Sequence, residues 1–178
     1  MFASLAAALL LAQTPAPAAA QDGPIATAAG GEGAEALRLR EAVAYANPLP
    51  RGAPEADYPL VAWCEALVNG HVALGETLAA ADPLDREIIR LGRLEAADFR
   101  GALEVARSRQ SAASLDAARA AAAEAAGKWT PLQGQDETVR SQAFGLFFGL
   151  PGRCEHAARR LRENITTPPA TPQEVGLE

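Results

Sequence analysis

Two cysteines, two histidines and a short basic run are the residues here whose chemistry goes beyond packing. Trp63, Cys64 and His71 fall within Tyr58–Leu78, YPLVAWCEALVNGHVALGETL. Arg153, Cys154, His156, Arg159 and Arg160 fall within RCEHAARRLR. Thiols and imidazoles are what a zinc ion takes, but the spacing opposes a shared site. Cys64 and His71 would be about 10.5 Å apart along one helix axis, at 1.5 Å per residue, too far to meet one metal. Cys154 and His156 are two positions apart, which points them to different sides of a helix. Neither C-x-x-C nor a haem-attachment C-x-x-C-H occurs. There is no G-x-S-x-G, no H-E-x-x-H and no phosphate-cradling glycine loop. No catalytic residue, cofactor-binding residue or metal ligand is therefore assigned, and no cofactor is expected.

The elements that would position these residues are helices. In Tyr58–Leu78, Leu60, Cys64, Leu67, His71, Leu74 and Leu78 alternate steps of four and three, one stripe of a helix. Asn69-Gly70 is turn-like, but the apolar phase does not shift across it. Asp82-Pro83 reads as an N-cap with proline at the first helical position. The helix it opens runs to about Arg109, with Leu84, Ile88, Leu91, Phe99, Leu103 and Ala106 as its buried side. Ser111 or Ser114 caps a third helix to Trp129, striped by Leu115, Ala118, Ala122, Ala125 and Trp129. Asp136 caps a fourth, with Val139, Ala143, Leu146 and Phe147 inward. Pro151-Gly152 breaks it, and a last helix over Arg153–Asn164 sets Cys154, Ala158 and Leu161 on one side. The expected fold is all-α: an up-and-down bundle of four to five helices over residues 55–165, without a sheet.

Composition agrees with a helical core and thins it. Of 178 residues 49% are hydrophobic but only 5% aromatic, and alanine dominates the apolar class. Alanine favours helix while burying little area, so helices must approach closely. The net charge of -6 opposes nonspecific nucleic-acid binding, because phosphate repels such a chain. Ahead of the bundle, MFASLAAALLLAQTPAPAAA reads as a signal peptide over residues 1–20. It has an apolar run of h-region length, and Ala18 and Ala20 precede a cut near Ala20-Gln21. Residues 21–54 read as a flexible linker with a short helix around 34–46, where Leu37, Val43 and Tyr45 lie loosely on one side. Residues 166–178, TTPPATPQEVGLE, have the composition of a disordered tail. No run reaches the ~20 apolar residues that would span a bilayer.

Export makes the cysteine count informative. An even count in an oxidising compartment favours a Cys64–Cys154 disulfide. A loop of that length is worth ~4–5 kcal/mol in the chain-entropy account. His71, on the core stripe, reads as a hydrogen-bonded core histidine. His156 reads as exposed beside Arg153, Arg159 and Arg160, on a solvated basic face that could meet an anion.

Trp63-Cys64 near the start of a helix and the late LPGRCEHAARRL (Leu150–Leu161) resemble pieces of uncharacterised, predicted-exported alphaproteobacterial proteins. The likeness covers two short motifs. It implies export and cysteine pairing, and carries no activity with it. The expected function is a non-enzymatic interaction or structural module of the cell envelope, periplasmic or secreted, with a protein or envelope partner. The alternatives are a small-molecule carrier with its ligand between helices near Trp63, His71 and Phe147, and an enzyme with no legible site.

Overall fold

The structure, a computed structural model, describes residues 33–147 and 149–177. The expected signal peptide and residues 21–32 lie outside the described residues. The protein is all-helical, with no strand among the described residues. In chain order the helices are α1 (Ala34–Ala46), α2 (Asp57–Glu76), α3 (Pro83–Ala106), α4 (Ala112–Gly127), the single turn α5 (Thr130–Gln133), α6 (Glu137–Gly145) and α7 (Arg153–Glu163).

Local chemistry sets the ends of these helices. At α3 the Asp82 carboxylate accepts from the Asp85 amide at 2.9 Å while the Asp85 carboxylate accepts from the Asp82 amide, a reciprocal box behind Pro83. Ser111 caps α4 and Asp136 caps α6 in the same way, each accepting from the amide three residues on. Asn164 ends α7 in the left-handed conformation (φ 54°), which asparagine tolerates better than most residues.

Helix α2 is the hub. It packs against α3, α4, α6 and α7, and the whole stripe Leu60, Cys64, Leu67, His71, Leu74 and Leu78 is buried. Cys64 is bonded to Cys154 (Cα–Cα 6.2 Å), which seats α7 directly on α2 across a sequence separation of 90. Helix α7 also packs on α3, so the last helix closes onto the first two of the core.

Two expected faces hold in part: Ile88, Phe99, Leu103 and Ala106 on α3, and Ala143 and Phe147 at α6, are buried or packed against the core, and the rest shift. On α3 the buried side is Ile89, Gly92, Ala96, Phe99, Ala102 and Ala106, while Leu84 and Leu91 are 66% and 39% exposed. The alanine and glycine positions set this phase, because close approach to α2 requires small residues. On α6 it is Phe144 that is buried, and Val139 and Leu146 lie outward. The segment expected as a disordered tail carries a 3-10 turn, Gln173–Val175, which lies against α1.

Gly70 explains why the turn-like dipeptide does not interrupt α2. A Cβ there would sit 2.0 Å from Cδ1 of Trp129, so the missing side chain is the seat of that indole. Gly75 gives Phe144 the same room, its Cβ falling 2.4 Å from the ring. Gly70→Ala is therefore expected to destabilise the fold by about 1–3 kcal/mol through overpacking. Gly101→Ala, in α3 with nothing within 4 Å of the added carbon, is expected to be neutral or to stabilise by up to about 1 kcal/mol. Urea denaturation of both variants checks the pair, and equal effects would contradict the seat.

Candidate functional site

The sequence-selected residues separate into two groups. The first surrounds His71. Its imidazole, 5% exposed, stacks on Phe144 (centroids 4.3 Å) and meets Phe147 (4.5 Å) and Trp129 (5.7 Å). His71 Nε2 lies 3.0 Å from the Phe144 carbonyl oxygen. A carbonyl only accepts, so Nε2 carries the proton and donates. Burial holds the imidazole below its ordinary pKa, outweighing the carbonyl that favours the cation. This is a neutral core histidine with its ring faces filled by aromatic side chains. Trp63 is 2% exposed, and the Lys128 ammonium lies 4.9 Å from its centroid. Two surface clefts, of about 350 and 370 Å³, are lined by other residues than Trp63, His71 and Phe147.

The second group is denser and lies between α1 and α7. Arg160 is 6% exposed, contrary to the expectation of a solvated basic face. Its Nη1 donates to Glu41 at 2.9 Å, its Nε to Asp57 at 3.1 Å and its Nη2 to the Thr167 carbonyl. Arg159 donates to the other Glu41 oxygen at 2.8 Å and to Glu163 at 3.2 Å. Glu41 is thus a helix-borne carboxylate held between two guanidiniums. Tyr45 donates to Asp57 at 2.6 Å, and Arg153 lies over the Tyr45 ring (4.4 Å to its centroid). Burial first and the Asp57 bond second push the phenol far above its usual range, so it remains a donor. Arg153 also donates to the Glu55 carbonyl at 2.5 Å.

His156 sits in the middle of this arrangement. It is 4% exposed where exposure was expected, and its Nδ1 is buried without a hydrogen-bond partner. The physical reason is α1. Of the residues expected loosely on one side of α1, Val43 is 40% exposed while Tyr45 bonds to Asp57, and Glu41 and Ala42 are buried. Sequence reasoning did not find Glu41, Tyr45 and Asp57 as a site. The only local signal was an acid on a helix with a weak apolar side, and its partners lie more than 100 positions away.

Chemically, the cluster can orient an anion or fix a helix. Among the described residues no three histidine, cysteine, aspartate or glutamate side chains gather as metal ligands. Comparison with family models, curated proteins and solved structures gave no match. The fold and its polar cluster define an all-helical, disulfide-stapled domain whose first described helix is held by ion pairs.

Two outcomes are expected. Arg160→Met leaves Glu41 and Asp57 short of a partner in a buried setting and should cost about 3 kcal/mol, while Glu41→Met with Arg160→Met together should recover part of that loss. Urea midpoints decide it, and a single-variant loss below about 1 kcal/mol would contradict a buried pair. For His71, the unfolded state binds more protons than the folded one below its ordinary value of 6.5. Its contribution is thus fully present above about 6.5 and is lost as pH falls toward the lowered folded value. NMR titration should find the Nε2–H tautomer at pH 7 and a midpoint below 6.5.

Proposed function

We propose that this protein is an exported, non-enzymatic interaction or structural module of the cell envelope, built as an up-and-down bundle around α2. One observation carries the reading: a row of exposed apolar side chains on α3. Leu84, Leu94 and Val105 are 66%, 58% and 53% exposed, and Leu91 is 39% exposed. At 100° per residue the four lie within about a quarter of the helix circumference. Large side chains lined up on one exposed side of a helix are what a partner surface buries.

Three further features support it. The disulfide suits an oxidising compartment. The N-terminal MFASLAAALLLAQTPAPAAA has the pattern of a cleavable export signal. No helix among the described residues is long and apolar enough to cross a membrane. The carrier alternative draws no support from His71, whose ring neighbours are the protein's own aromatic side chains.

A photo-crosslinking amino acid at position 94 or 105 is expected to give discrete adducts in the cell that makes the protein. The same group at Arg119, exposed on α4, should give none. Identical adduct patterns from all three positions would overturn the α3 assignment.

A further inference from the structure

We infer that α1 is a releasable arm over a cationic side of α7, and that uptake of a proton by His156 releases it. This goes beyond the envelope reading and does not depend on it.

The geometry is specific. His156 stands three residues after Arg153, three before Arg159 and four before Arg160, so the four share one side of α7. That side is the one α1 covers: Glu41 pairs with Arg159 and Arg160, Arg153 lies over Tyr45, and a Cβ on Gly152 would meet Ala44 at 3.8 Å. The opposite side of α7 holds Cys154 and Ala158 in the core. Removing α1 would therefore uncover His156 without opening the core.

The attachment is correspondingly polar. Of α1, only Glu41 and Ala42 are buried. A connector containing Pro48, Pro50 and Pro54 joins it to α2, so α1 can leave as a unit without unwinding the hub helix. Its other neighbour is the Gln173–Val175 turn, where Glu174 lies near Arg38.

Protonation works against the docked state. A charged imidazole would add an Nδ1–H donor at an atom that is buried and unpartnered. The surrounding charges divide. On α7, Glu155 favours the imidazolium and Arg159 opposes it; on α1, Glu41 favours it and Arg40 opposes it. Burial is the largest influence and holds His156 below its ordinary value. Once α1 lifts, burial ends and the imidazole returns toward that value. Protons therefore bind the undocked state better, and acid must favour release. The remaining charged groups about the latch, Asp57, Arg153, Arg160 and Glu163, are engaged in the pairs already described.

Hydrogen exchange on the full chain tests this. Exchange of residues 34–46, corrected for the intrinsic rate and referred to α2, should rise as pH is lowered below 6.5, the ordinary histidine value, by up to tenfold per pH unit. In His156→Gln the rise should vanish. A constant ratio of α1 to α2 exchange from pH 7.5 to 5.0, or an undiminished rise in the variant, overturns the inference. Should the variant fail to fold, NMR titration of His156 in the unaltered protein decides. A midpoint below 6.5 that tracks the α1 transition supports release, and a midpoint at or above 6.5 overturns it.

Discussion

The Cys64–Cys154 bond gives α7 its two sides. By fixing the last helix against the hub, it turns Cys154, Ala157 and Ala158 inward and sets the arginine-bearing side against α1 and the first residue of α2. Those guanidiniums are then partly shielded by the bundle itself, so they need carboxylates rather than water. Glu41 and Asp57 supply them from two different helices. The docking of α1 thus depends on where a covalent bond between two other helices puts a third. Without a helix seated there, Arg160 would have no enclosed site, and α1 has too weak an apolar side to dock alone.

The same bond shows why the core can be thin. Alanine buries little area, and most of α4's inward positions are alanine. Glycines at 70, 75 and 92 bring the helices closer still and let Trp129, Phe144, Ile89 and Val72 fill the space directly. Few large residues therefore do most of the packing. A disulfide that closes a long loop lowers the entropy of the unfolded chain, worth ~4–5 kcal/mol on a loop-length estimate. It offsets part of what the small side chains leave out.

Legibility in the sequence followed contact range. Helix starts were readable because their causes are local: Asp82 with Pro83, Ser111 and Asp136 each act within three residues. The α2 stripe was readable because leucine and valine recur at one phase with little competition. On α3 Leu84 and Leu91 misled, because the buried phase is set by Gly92, Ala96 and Ala102, small residues whose role is to admit a neighbour. The polar cluster was only half readable. Arg153, His156, Arg159 and Arg160 stood out as a basic run, but the carboxylates that engage Arg160, Glu41 and Asp57, lie 119 and 103 positions away, beyond any local pattern.

The cross-link also fixes how the molecule would respond to tension. Force applied between the two ends of the described chain runs from α1 through the beginning of α2 to Cys64, crosses the sulfurs to Cys154, and continues through α7 to the tail. The residues between the cysteines, which include most of α2 and all of α3 to α6, lie off that path while the bond is intact. Pulling would peel away α1 and the C-terminal segment and then strain the ends of the hub. The central helices would stay folded in a closed loop, with the α3 leucine row still displayed.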